Sequence, residues 1–233
     1  MATYLELQTA VQRRVIDLPQ AVRDEVPLII NRVIRNLQKA HNFYVMEGTA
    51  DYTTGLEQRT LGPLPADFKE FNGEPYSVEA LGRLNYMTLA PSERDTIAYF
   101  GNDDTGAPHA LVRSNPEDAA GAASLSVWPL PDGNSDYDDG EYRVRLPYWK
   151  FLPHLVANGE TNWFTTNGED YVIDKSTAEA FAIDWDENRM AIWEQKAAVH
   201  RNELMLLDKR MRISPVESFV PHYLGARTPR LRF

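Results

Sequence analysis

The stretch VWPLPDGNSDYDDGEYRVRLPYWKF, residues 127–151, decides how the middle of this chain folds. Its centre, DGNSDYDDGE at 132–141, holds five carboxylates in ten residues. In the second flank, apolar or aromatic side chains at 142, 144, 146 and 148 alternate with Arg143 and Arg145, the pattern of a half-buried strand. The acidic centre is therefore either a calcium loop or the solvated tip of a β-hairpin.

The acidic segment departs from a calcium loop at two decisive positions. An EF-hand loop places oxygen ligands at positions 1, 3 and 5, glycine at position 6 and a bidentate glutamate at position 12. Counted from Asp132, position 6 is Tyr137 and position 12 is Arg143. The Asp-Gly pairs at 132–133 and 139–140 are turn signals instead. The pattern favours an exposed hairpin tip, and weak cation binding by the loop 132–141 stays open.

Composition divides the chain into helical ends and a β-rich middle. Ten of the 13 glycines lie between Gly48 and Gly140, and nine of the 15 prolines lie between Pro63 and Pro147. We expect an α+β fold: an antiparallel helical bundle from both chain ends, with a β-rich insertion and an extended C-terminal arm. The expected parts are N-terminal bundle helices at 1–47, the insertion at 48–153, C-terminal bundle helices at 154–212 and the arm at 213–233.

Periodic apolar stripes define the expected helices. Thr3 and Glu6 form a capping box at the first helix, and Pro27 is tolerated because it falls in the first turn of the second. The second helix then repeats apolar residues at intervals of three and four, as bundle helices do. Trp185 and Trp193 fall on the stripes of the two C-terminal helices, which predicts both in the core. The last helix is expected over 187–211.

The insertion is expected to contain short strands. Thr49–Thr54 and Glu57–Leu61 are predicted to form a hairpin around Gly55. The segments 109–114, 124–130 and 141–148 are predicted strands, the last two flanking the acidic hairpin tip. Ser92 begins a predicted short helix that ends before Gly101.

Charge and composition limit the classes of function. The net charge of −10 argues against a sequence-independent nucleic-acid binder. It does suit the wall of a channel through which DNA slides without binding. The chain has no cysteine, which excludes a disulfide framework and thiolate metal sites. We find neither a signal peptide nor an apolar run that spans a bilayer, so we expect a soluble chain made in the cytosol, with no membrane partner.

Motifs of catalysis or cofactor binding are missing from the sequence. Its five histidines are scattered, and it has no nucleophile elbow, phosphate-binding loop or dinucleotide fingerprint. We therefore predict no enzyme, no catalytic residue, no metal site and no cofactor. Two segments are candidate interfaces instead. Trp163 and Phe164, in a polar loop, either contact another protein or dock that loop. The arm 213–233 carries the aromatic and basic residues Phe219, Tyr223, Arg227, Arg230, Arg232 and Phe233.

The order of these segments resembles the head-to-tail adaptor proteins of tailed bacteriophages, which dock beneath the portal. The resemblance rests on two N-terminal helices ending in HNFYVM, then LPADFKEF and GAPHALV, and then LSVWPLPDG with EYRVRLPYWKFLPHL before two C-terminal helices. It covers the chain up to about Arg212, although no single motif is diagnostic.

The resemblance implies a structural protein of the virion neck, assembled in the host cytoplasm. It implies a homo-oligomeric ring, commonly of twelve copies, which joins the portal protein to a tail or nozzle protein and leaves a channel for DNA ejection. The arm 213–233 would then reach the portal, ordering on binding. Two other classes stay open: a receptor- or glycan-binding module on the insertion, with Trp163, Trp149 and the acidic loop as its surface, and an enzyme whose groups converge from distant positions.

Overall fold

The computed structural model describes residues 2–78, 84–90, 105–113, 124–135 and 140–213. The predicted helix after Ser92 and all but the first residue of the arm lie outside these residues. The chain divides into a helical unit, Met1–Val45 with Pro153–Phe233, and a sheet unit, Met46–Leu152. No helix in the described ranges is both long and apolar enough to cross a membrane.

Short loops separate most of the helices of the helical unit. The described helices are α1 (Tyr4–Arg14), α2 (Gln20–Asp24), α3 (Val26–Ala40), α4 (Trp163–Asn167), α5 (Glu169–Ile183) and α6 (Glu187–Ile213). The capping box is present: the Glu6 amide donates to the Thr3 hydroxyl at 3.3 Å, and the Thr3 amide donates to the Glu6 carboxylate at 2.7 Å. Pro27 stands in the first turn of α3, as predicted.

The predicted antiparallel bundle from both chain ends is wrong, although the α+β class is correct. The structure has six helices of very unequal length in its described part, together with two sheets. Helix α5 packs against α1, α3 and α6, while α6 packs chiefly on α5. Regular stripes misled the prediction because they show that a helix has an apolar face, but not how many neighbours share it.

Trp185 also contradicts the sequence-based assignment to the core. Helix α5 ends at Ile183, and Trp185 adopts a φ of 60° in the turn before α6. The left-handed conformation takes the residue off the helical stripe, and its side chain is 87% exposed. Trp193 is half-buried on α6, under the guanidinium of Arg14 at 4.5 Å.

The sheet unit consists of two sheets. The strands are β1 (Glu47–Thr54), β2 (Thr60–Pro63), β3 (Phe68–Phe71), β4 (Tyr76–Val78), β5 (Leu84–Tyr86), β6 (Thr88–Ala90), β7 (Ala110–Arg113), β8 (Ser124–Trp128) and β9 (Tyr142–Lys150). The first sheet has the order β1-β9-β4-β5, with β3 also on β9, and the second has the order β2-β8-β7-β6. All described pairs are antiparallel except β6 with β7.

Both predicted hairpins are wrong for the same reason. Strand β1 pairs along its whole length with β9, whereas β2 pairs with β8 in the other sheet. Likewise, β8 and β9, which flank the acidic segment, belong to different sheets. The alternation in β9 is confirmed, with Val144 and Leu146 buried. Alternation shows which face of a strand is buried, but not whether the next strand pairs edge to edge or packs face to face.

The two sheets share one apolar core. Leu111, Leu125 and Val127 of the second sheet form a buried cluster with Val144 and Leu146 of the first, and Met87 between β5 and β6 completes it. Face-to-face packing of this kind removes both inner faces from water.

Truncating this core should lower the stability of the sheet unit. We expect Leu146→Ala to cost about 2–5 kcal/mol, since the side chain is fully buried and its removal leaves a cavity. The matched control Leu84→Ala, at a position 47% exposed, should cost less than about 1 kcal/mol. Urea unfolding of the two variants measures the difference, and equal costs would contradict the shared core.

Tyr148 in β9 makes the sheet unit sensitive to alkali. Its hydroxyl donates to Oδ1 of Asp67 at 3.0 Å, and its side chain stacks on Phe68 with ring centroids 5.8 Å apart. Burial, together with the hydrogen bond to Asp67, raises the pKa of Tyr148 to about 12.

The free energy of unfolding should therefore fall as pH rises from the pKa of Tyr148 in the unfolded chain to its higher pKa in the folded protein. The unfolded chain releases the proton near pH ~10, so the contribution of Tyr148 is complete below that pH and lost as pH rises to about 12. We expect Tyr148→Phe to remove up to about 1.4 kcal/mol per pH unit from the alkaline slope of the unfolding free energy. Tyr86→Phe, an exposed tyrosine, is the control; an unchanged slope in Tyr148→Phe would contradict the assignment.

Candidate interaction surfaces

The predicted arm begins at the last turn of α6, and a buried carboxylate holds that turn in place. Asp208 is 2% exposed. Its Oδ1 accepts a hydrogen bond from the amide of Tyr44 at 2.6 Å, and its Oδ2 accepts one from Nε of Arg212 at 3.1 Å. Nε2 of His41 lies 3.0 Å from the same Oδ2, and Arg212 also donates to the carbonyl of Asn42. The turn from which the arm starts is therefore attached to the segment that follows α3.

Asp208 was not among the sequence-based candidates. An unpaired buried carboxylate is costly, so its three neighbours are required for the helix to bury it. The available signal was its position four residues after Leu204, which puts an acid on the same side of the helix as an apolar residue.

An aromatic cluster adjoins this carboxylate through His41 and Tyr44. Phe43 is fully buried, and its ring lies 4.5 Å from His41, 5.3 Å from Trp163 and 5.0 Å from Phe164, measured between centroids. Tyr44 meets Trp163 edge to face at 6.0 Å. The cluster packs the start of α4 on the segment after α3, at separations typical of favourable aromatic pairs.

Trp163 and Phe164 therefore differ in what they offer a partner. Both begin α4, which Asn162 caps by accepting the amides of Phe164 and Thr165 at 2.9 and 3.0 Å. Phe164 is fully buried, whereas Trp163 is half-buried. Its indole nitrogen is buried with no hydrogen-bond partner in the described part of the chain. An interface role for the pair stays a prediction. Of the two, Trp163 is the residue whose side chain is partly exposed.

A second buried carboxylate joins three helices. Asp174 of α5 is 3% exposed, and its Oδ1 accepts a hydrogen bond from Arg14 of α1. Its Oδ2 lies 3.1 Å from Nδ1 of His200 on α6, in a contact that is not aligned as a hydrogen bond. The pair lies close enough for an ion pair whenever His200 is protonated.

Arg189 connects the ends of the same helices at the surface. It donates to Asp17, which follows α1, and to Asp186, which precedes α6, at 2.5 Å for the latter. Its guanidinium also lies 4.4 Å from the ring centroid of Phe181. The hydrogen bonds from Arg189 lower the pKa of both carboxyls. Asp17 is exposed and Asp186 is only partly buried, so this contact is weaker than the buried ones.

The helical unit also has one small open cleft among its described residues. It measures about 160 Å³ and is lined by Asn167, Gly168, Asp170, Tyr171, His200, Glu203, Leu204 and Leu207. Burial raises the pKa of Tyr171. No group of three or more potential metal ligands occurs among the described residues.

The acidic segment uses its first carboxylate within the loop. Asp132 accepts a hydrogen bond from the hydroxyl of Tyr142 at 2.6 Å and another from the amide of Asn134 at 3.0 Å. These bonds lower the pKa of Asp132. Gly133 and Gly140 have φ of 74° and 71°, in the left-handed region that glycine adopts readily. Residues 136–139 lie outside the described part, so weak cation binding stays a prediction.

One comparison with known proteins identifies a family. The sequence model described as "SU10 adaptor protein" matches residues 2–218, which is nearly the whole chain. No curated protein matches the sequence.

Removing the Asp208 carboxylate should loosen the base of the arm. We expect Asp208→Ala to lower the free energy of unfolding by about 1–3 kcal/mol, because the amide of Tyr44 loses its acceptor. Urea unfolding followed by circular dichroism measures this cost. Asp170→Ala, an exposed acid of the same unit, should change it by less than about 0.5 kcal/mol. Equal stability of the two variants would contradict a structural role for Asp208.

Proposed function

The chain belongs to the SU10 adaptor protein family, a family of structural bacteriophage proteins, and from this premise we propose that it is a head-to-tail adaptor. In this proposal, copies of the chain form a ring between the portal protein and a tail or nozzle protein. DNA passes through the ring without being bound. The single observation that carries the proposal is the family match over residues 2–218.

The pairing of the two buried acids with basic groups supports a structural role for the chain. Asp174 and Asp208 are the buried carboxylates of the helical unit's described residues, and each is paired with at least one basic group from a distant part of the chain. Such pairs fix helices relative to one another. An adaptor that transmits force between the portal and the tail needs that rigidity.

The arm 213–233 is proposed as the portal-docking segment. It carries three arginines and one acid in a chain whose net charge is −10. Its aromatic residues Phe219, Tyr223 and Phe233 suit a segment that buries side chains on a partner. The base of this arm is the Asp208 site, so force on the arm would pass directly into α6 and the segment after α3.

The net charge supports the proposed DNA channel. Like charges repel, so an acidic wall lets DNA slide where a basic one would hold it. The rival idea of a glycan-binding surface around Trp149 and Trp163 has less support. Trp149 is 7% exposed, and Trp163 packs on Phe43 and Tyr44.

Deleting the arm should abolish portal binding without unfolding the chain. We expect the full chain, mixed with the purified portal protein of its own phage, to form rings visible by negative-stain microscopy. A chain ending at residue 213 should fail to bind the portal in the same mixture, while its urea midpoint stays within error of the full chain. The reason is that the proposed portal contacts lie in the arm.

A matched pair of triple variants separates the arm from general charge effects. Arg227→Ser, Arg230→Ser and Arg232→Ser together should weaken portal binding at least tenfold. Arg201→Ser, Lys209→Ser and Arg210→Ser, at exposed positions of α6, remove the same charge outside the arm and should have a smaller effect. Portal binding that survives deletion of the arm would remove its docking role, and a full chain that forms no ring with the portal would contradict the adaptor proposal.

A further inference from the structure

The turn between α5 and α6 places a tryptophan in solvent. Trp185 is 87% exposed, which is the largest exposure of any large apolar side chain in the described ranges. Tryptophan is ordinarily one of the side chains that bury most area in a core or an interface. A side chain this exposed buries almost nothing, so packing within the chain does not explain why the position holds a tryptophan.

The backbone of the same turn also disfavours tryptophan. The amide of Asp186 donates to the carbonyl of Phe181 at 3.0 Å, and the amide of Trp185 donates to the carbonyl of Ala182 at 3.3 Å. These two bonds form a Schellman motif, in which one residue adopts the left-handed conformation and is usually glycine. Trp185 is that residue, with a φ of 60°. A side chain at such a φ costs conformational energy that glycine avoids.

The support beneath the tryptophan is rigid. Arg189 donates to Asp186, which directly follows Trp185, and to Asp17, which follows α1. The guanidinium of Arg189 also lies 4.4 Å from the ring centroid of Phe181, in the last turn of α5. A large aromatic side chain on a rigid support loses little freedom when it enters a pocket on a partner. Tryptophan is accordingly enriched among the residues that dominate binding energy at protein interfaces.

The surroundings of the tryptophan are acidic. Residues 183–188, IDWDEN, contain three acids and no base. Asp184 and Glu187 are exposed and form no ion pair within the part of the chain that the structure describes. Ile183 adds apolar area, at 37% exposure. We call Ile183, Asp184, Trp185 and Glu187 the Trp185 surface; it is complementary to an apolar pocket with lysine or arginine at its rim.

The Trp185 surface lies at the other end of α6 from the arm. Helix α6 has 27 residues and is therefore about 40 Å long, at 1.5 Å per residue. Trp185 stands two residues before its first residue, and the arm follows its last. The two ends of α6 thus offer two separate contacts. A second copy is a poor match for the acidic end, because the chain has a net charge of −10 and its arginine-rich arm is assigned to the portal.

We propose that the Trp185 surface docks the chain on the tail or nozzle protein. The indole enters an apolar pocket of that protein, and Asp184 and Glu187 lie beside basic side chains at the rim of the pocket. The inference rests on the proposed function, since it names the surface that meets the second partner of the adaptor. It also accounts for a tryptophan that neither the core nor the end of α5 requires.

Replacing the tryptophan by glycine should separate binding from folding. Rings of the full chain on its portal protein are mixed with the purified tail or nozzle protein of the same phage, and the dissociation constant is measured. We expect Trp185→Gly to raise this constant at least tenfold, with ring formation unchanged. Its urea midpoint should not fall, because glycine adopts the left-handed conformation without strain.

Val156→Gly is the matched control for the glycine substitution. Val156 is 80% exposed and lies in the loop before α4, so the variant also removes an exposed apolar side chain from the helical unit. Binding of the tail or nozzle protein should be unchanged. Its urea midpoint should fall slightly, since glycine makes the unfolded chain more flexible.

Charge reversal tests the basic rim of the partner. Asp184→Lys combined with Glu187→Lys should raise the dissociation constant several-fold, and added salt should weaken binding of the unaltered chain. Asp170→Lys combined with Glu203→Lys makes the same change of charge at two other exposed acids of the helical unit. This control should have a smaller effect, and equal effects of the two pairs would contradict the acidic part of the contact.

The outcomes separate this inference from the proposed function. Unchanged tail binding in Trp185→Gly overturns the Trp185 contact and leaves the adaptor proposal standing. Loss of the portal rings in Trp185→Gly also overturns it, because a second copy would then occupy the surface, and so does a clear fall in the urea midpoint. If the full chain forms no ring yet binds the tail protein through Trp185, the surface stands and the ring does not. If it binds neither partner, both proposals fail.

Discussion

The helical unit depends on burying the carboxylate of Asp174. A carboxylate removed from water must be compensated by nearby cations or donors, or the helix that carries it is destabilised. Arg14 supplies the compensation from a position 160 residues earlier, and His200 lies against the second oxygen. Because these partners belong to α1 and α6, one carboxylate on α5 requires helices from both ends of the chain to meet. Asp208 of α6 imposes the same requirement on His41, which follows α3, while Arg212 pairs with it from the same helix.

These buried acids also explain how a negatively charged chain remains rigid. The long helix α6 attaches on one side through Ala197, Leu204 and Asp208, and leaves Ile192, Val199 and Leu206 exposed. The arm that we propose as the portal-docking segment starts from the same helix.

The sheet unit is held together mainly by buried apolar side chains rather than by buried charges. Strands β8 and β9 meet through Leu125, Val127, Val144 and Leu146 across the space between the sheets. The acidic segment between them crosses from one sheet to the other and uses Asp132 to bond Tyr142 and Asn134.

Much of the local structure could be predicted from the sequence. The Thr3–Glu6 capping box, the first turn around Pro27 and the alternation in β9 are all present. These features depend on interactions within a few residues, which the order of residues determines. The resemblance to phage adaptors is also supported at the level of the family.

Tertiary structure alone decided which surfaces meet. It placed β8 and β9 in separate sheets, turned Trp185 out to solvent, and gave Asp174 and Asp208 partners from distant segments. For the candidate surfaces, the sequence identified the aromatic pair at 163–164, whereas only the structure showed that Phe164 is buried and that Ile192, Val199 and Leu206 are exposed. The physical reason is that a pattern along the chain specifies the faces of an element. Which faces cover one another depends on burial and charge pairing across the whole fold.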